Sequence, residues 1–209
     1  WFRVGETIRY ELKGRLPKAV ATKDAILQIA GRYGSHAMMN VEYGGPGIKD
    51  LSISARKTLT TMSAELSAEF ATFEPDDVML QWVRARNPAS FEAAYPDKDA
   101  KYREVRTVDL SSLEPLVAFP DTVIENSKPV GAAAGTRIDQ AFVGSCANGQ
   151  IEDLRIVARM LKGTKRNPDE VVGRVPPMQV PATVRTVAIH ALMAGCKPEY
   201  LPVVLGALD

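Results

Sequence analysis

The sequence predicts an α/β fold in three layers, a mixed or mostly parallel sheet with flanking helices. Three observations carry this. Ile8, Tyr10 and Leu12 alternate with Arg9, Glu11 and Lys13, the period of a half-buried strand, and a helical pattern follows at once. Strand-like and helix-like segments then keep alternating, the order that builds βαβ units. The apolar run Ala141-Phe142-Val143 breaks into Gly144-Ser145-Cys146 just ahead of an amphipathic stretch, the pattern of a buried strand giving way to a helix. Open α/β sheets bind ligands at such strand ends.

The elements follow in order. Gly14 stops the first strand. Thr22 is placed to cap a helix over Asp24 to about Arg32, with Ala25, Ile26, Ile29 and Ala30 on one face and Gly34 at its end. Gly44-Gly45-Pro46-Gly47 reads as a turn, since it lacks the Lys and Ser/Thr of a phosphate-binding loop. Ser54 to Phe70, rich in Ala, Leu, Met and Glu, predicts a helix, and Pro75-Asp76-Asp77 starts another that runs to about Arg86. Residues 87–101 read as polar loop with some helix, and Tyr102 to Leu110 as a strand.

Pro115 to Gly135 reads as a long connection between layers or domains. Arg137 to Ser145 is the predicted strand leading to the cysteine. Ile151, Leu154, Val157, Ala158 and Leu161 then recur at helical spacing, and Gly163 closes that helix. A last helix is predicted over Ala182 to Ala194.

Composition narrows the class. Apolar residues make up 45% of the 209 and charged residues 24%, ordinary values for a globular chain with a core. A net charge of +1 gives no overall attraction to nucleic acid or to an anionic membrane. No apolar stretch approaches the roughly 20 residues that span a bilayer. No basic segment followed by an apolar one marks a secretory signal, and two cysteines give no disulfide framework, so a reducing cytoplasm is the simplest setting.

Val143 to Arg155, reading Val-Gly-Ser-Cys-Ala-Asn-Gly-Gln-Ile-Glu-Asp-Leu-Arg, is the most informative stretch. Its plain reading is a small buried cysteine at a turn. The sharper one is a thiol held beside the free N–H groups of a helix start, which favour a thiolate. The run resembles the Gly-Ser-Cys-Thr-Asn-(Ser/Gly)-Arg-Ile-Glu-Asp-Leu-Arg signature of the aconitase superfamily, nearest to the large subunit of 3-isopropylmalate dehydratase and homoaconitase. Ala147 stands for the usual Thr and Gln150 for the usual Arg. Val4 to Arg9 is similar to the family's Val-Pro-Glu-Thr-Ile-Arg, with Gly5 for Pro. Leu16-Pro17 with Ala21 to Leu27, Leu51 to Glu65, and Leu110 to Pro115 resemble further family segments in family order.

The resemblance implies an aconitase-like α/β portion over residues 1–130 and a strand–cysteine–helix segment over 131–165. Residues 166–209 form a helical tail outside the pattern, so the chain reads as a fragment, a fusion or a rearranged paralogue. It also implies a hydro-lyase of leucine biosynthesis, dehydrating a small hydroxy-dicarboxylate such as isopropylmalate, with a small dehydratase subunit as its partner. By this resemblance Cys146 is one of three ligands to a [4Fe–4S] cluster whose open iron polarises the substrate hydroxyl. Glu65 falls on the family's catalytic glutamate, although Thr61 replaces the usual Asn four residues before it. Ser145 and Asn148 are the implied substrate- or cluster-contacting residues. The family's Cys-x-x-Cys is not found here: Cys196 is followed by Lys-Pro-Glu.

From the residues alone, Glu65 reads as a solvated helix-face glutamate, and Asn148 equally well as a turn asparagine. Glu152 and Asp153 suit the dipole of the helix they begin. His36 is left unassigned, and His190 reads as a hydrogen-bonded histidine on an apolar helix. Two other functions stay open: a non-catalytic α/β scaffold or assembly module of the same descent, and thiol redox chemistry by Cys146 and Cys196.

Overall fold

The structure is a computed structural model that describes residues 3–138, 141, 143–162, 171–175 and 180–193. The chain divides into two compact units, Trp1–Gly135 and Thr136–Asp209, taken here one at a time.

The first unit is built on a four-stranded parallel sheet of β1 (Glu6–Lys13), β2 (Met39–Gly44), β3 (Phe70–Phe73) and β4 (Glu104–Asp109), in the spatial order β3-β2-β1-β4. The chain steps outward from β1 to β3, then returns to the other side of β1 for β4. Parallel neighbours need such crossovers, and helices supply two of them. These are α1 (Thr22–Tyr33) and α2 (Ile53–Met62), which pack side by side. Their apolar stripes cover the sheet face that carries Ile8, Tyr10, Leu12, Val41, Tyr43 and Val108, all buried.

The alternation seen in the sequence is the alternation observed. A row of facing side chains crosses the whole sheet, because Tyr10 pairs with Tyr43 on one side and Arg106 on the other, and Tyr43 pairs with Phe73. Tyr10 and Tyr43 stack with ring centres 5.8 Å apart, and Tyr43 and Phe73 with centres 5.1 Å apart. Such cross-strand aromatic pairs add to burial. A guanidinium closes each end: Arg106 over Tyr10 and Arg56 over Phe73.

The opposite face is polar. Arg9 sits there against the carboxylates of Glu11, Glu42 and Glu74, and the Tyr102 hydroxyl donates to Glu42 at 2.8 Å.

Several elements depart from expectation. Helix α1 takes Ala21 as its N-cap, and Asp24 accepts the Ala21 N–H at 2.8 Å in place of a Thr22 cap. The predicted helix from Ser54 to Phe70 ends at Met62, continues as a 3-10 turn over Ser63–Leu66, and gives way to β3 at Phe70. Ser67 breaks it, since its left-handed φ of 65° stops helical hydrogen bonding. Helix α3 (Asp77–Arg84) starts behind Asp76, whose carboxylate accepts the Met79 N–H at 3.0 Å. The long connection after Pro115 is partly ordered as an antiparallel pair, β5 (Leu116–Ala118) and β6 (Ser127–Pro129). Asp24 anchors it by accepting the Leu116 N–H at 2.8 Å.

The second unit contains a short helix α4 (Ser145–Asn148), α5 (Ile151–Met160), the antiparallel pair β7 (Val171–Val175) and β8 (Val180–Thr183), and α6 (Val184–Met193). Of the strand expected over Arg137 to Ser145, residues 139, 140 and 142 lie outside the described residues; those described up to 144 belong to no strand, and Ser145 begins α4. Along α5, Leu154, Val157 and Ala158 are half-buried, as their spacing predicts, while Ile151 is exposed. Gly163, Cys196 and the side chain of His190 lie outside what is described.

Candidate active-site elements

Glu65 sits in the 3-10 turn that precedes β3, at the amino ends of the strands, and its side chain is exposed. The turn itself is fastened from two sides. The Ser63 hydroxyl lies 2.8 Å from the Tyr43 hydroxyl and donates to the Leu59 carbonyl at 2.9 Å. The Leu66 carbonyl accepts the His36 backbone N–H at 2.7 Å. The result is a free carboxylate on a rigid support, the usual requirement for a group that must meet a reacting atom.

His36, unassigned in the sequence, is fully buried at 0% exposure, and its surroundings define its state. Nδ1 lies 2.9 Å from the Gly34 carbonyl, an acceptor only, so the proton is on Nδ1. Nε2 then accepts from the Tyr10 hydroxyl at 2.7 Å and faces an Arg106 N–H at 3.2 Å. Burial lowers the imidazole pKa below its ordinary 6.5, and the Arg106 cation adds to this, although the Gly34 carbonyl works the other way. Burial pushes the Tyr10 hydroxyl up to about 12. Arg106 also donates to the Tyr10 hydroxyl at 2.9 Å, lies 4.3 Å over the Tyr33 ring and pairs with Glu104. Both ring nitrogens and the Tyr10 hydroxyl have partners, and burial with the Arg106 cation favours the neutral ring.

One sequence signal could have located the network. Arg106 has the same strand parity as Val108, and a cation on the covered face of a strand demands an acceptor there.

In the second unit, Cys146 is the second residue of α4. Gly144 precedes the helix, and Ser145 takes a left-handed φ of 80°, a strained conformation for a residue with a side chain. Ser145 is exposed and its carbonyl accepts the Gly149 N–H at 2.9 Å. The Asn148 amide donates to Asp153 Oδ1 at 3.2 Å, while Asn148 Oδ1 is out of contact with solvent and has no partner among the described residues. Asp153 also accepts the Gln150 N–H at 3.1 Å, closing the start of α5.

A cubane cluster with one open iron needs three thiolates. The whole sequence has two cysteines, and among the described residues no three His, Cys, Asp or Glu side chains gather to hold a metal. The residues present do not make a complete cluster site.

Comparison with known proteins agrees on descent. The family model described as "Aconitase family (aconitate hydratase)" matches residues 1–130. The chain is 46% identical over 168 residues to a protein named 3-isopropylmalate dehydratase large subunit from Mycolicibacterium smegmatis, covering 80% of this chain and 40% of that one. A protein named 3-isopropylmalate dehydratase large subunit 1 from Methanopyrus kandleri is 40% identical over 171 residues, with 81% and 41% covered. A probable methanogen homoaconitase large subunit from Methanosarcina mazei is 36% identical over 213 aligned positions, with 99% and 50% covered, so this alignment extends into the tail beyond residue 165. The chain thus spans between two fifths and half the length of these curated relatives. With the family match running unbroken through the sheet, both covering helices and the Glu65 turn, the chain belongs to the aconitase family.

Proposed function

We propose that this chain is a portion of a hydro-lyase that removes and returns water on a small hydroxy-dicarboxylate of the isopropylmalate or homocitrate type. In this reading Glu65 moves the proton at the reacting carbon or hydroxyl, Ser145 and Asn148 bind substrate, and Cys146 is one thiolate of a [4Fe–4S] site that other segments complete. When bound, such a cluster supplies Lewis acidity toward a hydroxyl. A small subunit is the proposed partner, since the relatives are named large subunits. Among the described residues no helix is long and apolar enough to cross a membrane; a cytoplasmic setting is part of the proposal.

The observation that carries the reading is that the family match includes a turn on which Glu65 is exposed while the Ser63 hydroxyl ties it to Tyr43 and the Leu66 carbonyl ties it to His36. The incomplete thiolate set supports a second reading, a non-catalytic module of the same descent.

The test uses the full-length polypeptide that carries this chain, assembled with its small subunit and loaded anaerobically. It should hydrate an unsaturated dicarboxylate, and Glu65→Gln should lower kcat by about 10²-fold or more with KM little changed. An unchanged kcat would remove Glu65 from the chemistry. No hydration of any such dicarboxylate by the loaded assembly would leave the scaffold reading standing.

A further inference from the structure

At the opposite end of the sheet, the segments that follow β1, β2 and β4 form an open pocket of about 220 Å³ lined by Arg15, Leu16, Gly47, Asp50, Leu51 and Leu110. It lies where the strand order reverses, between β1 and β4, the position at which open α/β sheets form ligand crevices. Neither Glu65 nor the His36 network takes part in it. We infer that this crevice binds a small aliphatic carboxylate, its charge on Arg15 and its alkyl group on the leucine floor.

Four observations carry this beyond the hydro-lyase reading. Leu51 and Leu110 are 3% and 0% exposed, so the floor is apolar and fixed. Arg15 is anchored at the rim through its backbone N–H to the Ser111 hydroxyl at 3.0 Å and through Nε to Asp50 at 3.0 Å. Its two terminal amino groups have no partner among the described residues, and its side chain is 77% exposed. A guanidinium held at Nε with its outer edge free is set for a two-pronged grip on a carboxylate. Helix α2 begins just beyond Leu51, behind its Ser52 cap, and brings the positive end of its dipole to the same end of the sheet.

Size and charge restrict the ligand further. The cavity is smaller than the roughly 300–1,000 Å³ typical of drug-sized sites, which selects a compact molecule. Asp50 partly neutralises Arg15 and disfavours a second negative charge nearby, which selects a monocarboxylate with a short or branched alkyl group.

The test titrates isotopically labelled full chain with sodium isovalerate, with 3-methylbutan-1-ol and with sodium acetate, at matched sodium chloride, and follows backbone amide signals. Isovalerate should give saturable shifts centred on Arg15, Gly47, Leu51 and Leu110. The alcohol and acetate should bind at least about tenfold more weakly, each lacking one half of the interaction. Arg15→Gln, a change at an exposed side chain, should weaken isovalerate by about tenfold. Asp50→Asn should tighten it by removing the competing carboxylate. Shifts reproduced by chloride alone, shifts centred elsewhere, no saturable shifts, or equal affinity in both variants would overturn the inference.

Discussion

His36 Nε2 lies 2.7 Å from the Tyr10 hydroxyl and 3.2 Å from an Arg106 N–H, so the ring nitrogen that would gain a proton already receives two hydrogen bonds. Protonation occupies the single lone pair of Nε2, so it can accept neither bond, and it sets two cations side by side.

Stability should therefore fall on acidification. The native imidazole titrates below its ordinary 6.5, so the unfolded chain takes up the proton first. The contribution is fully present above about pH 6.5 and is lost as pH falls through the lowered native value. Urea midpoints at pH 7.5 and pH 5 will show the loss. His36→Phe should be less stable at pH 7.5 and should flatten this part of the pH dependence; an unchanged slope would assign it to other groups.

Arg56 is 3% exposed, grips both oxygens of Asp76 at 2.6 and 2.7 Å, and donates to the carbonyls of Leu51 and Ile48. Arg56→Ala should cost about 3–5 kcal/mol in chemical denaturation, because Asp76 and two carbonyls lose their donor together. Burial by itself would raise the Asp76 pKa, but Arg56 and the Met79 N–H outweigh it and hold the carboxyl below its usual range. That contribution is present above the unfolded carboxyl value and disappears as pH falls through the lowered native one.

Tyr43→Phe keeps the stacked row and removes only the hydroxyl that meets Ser63. The expected cost is about 1 kcal/mol, since Ser63 keeps its bond to the Leu59 carbonyl. Under the proposed function, kcat of the loaded assembly should also drop, by more than the stability loss accounts for, through loosening of the turn that carries Glu65. Equal effects on both, or none on kcat, would make the Tyr43 bond purely structural.

Gly47→Ala should destabilise by about 1–3 kcal/mol. An added Cβ would lie 2.9 Å from the Leu12 carbonyl oxygen and 3.1 Å from that of Gly14, both backbone atoms that resist displacement. A thermal melt checks it, and a wild-type midpoint would mean that the loop moves freely away from β1.

Legibility in the sequence followed the physics of each element. β1 was plain because Ile8, Tyr10 and Leu12 face a covered layer and their neighbours face water. β3 was hidden because its four residues directly follow a helix of good helix formers, and only the backbone reversal at Ser67 separates them. The β5–β6 pair was hidden because six residues, one of them a proline, carry little periodic signal. Glu65 was singled out only through likeness to the family; its exposure alone marks it as ordinary surface. His36 was passed over because its importance lies in Tyr10 and Arg106, residues 26 and 70 positions away.

The ordered row of Arg106, Tyr10, Tyr43 and Phe73 also acts as a proofreader of strand alignment. Sliding β1 by one position would carry Arg9 or Glu11 beneath the helices and turn Tyr10 out toward water, a penalty applied at every neighbour simultaneously. A slipped β1 is therefore disfavoured against β2 and β4 together, so the sheet tolerates one alignment only.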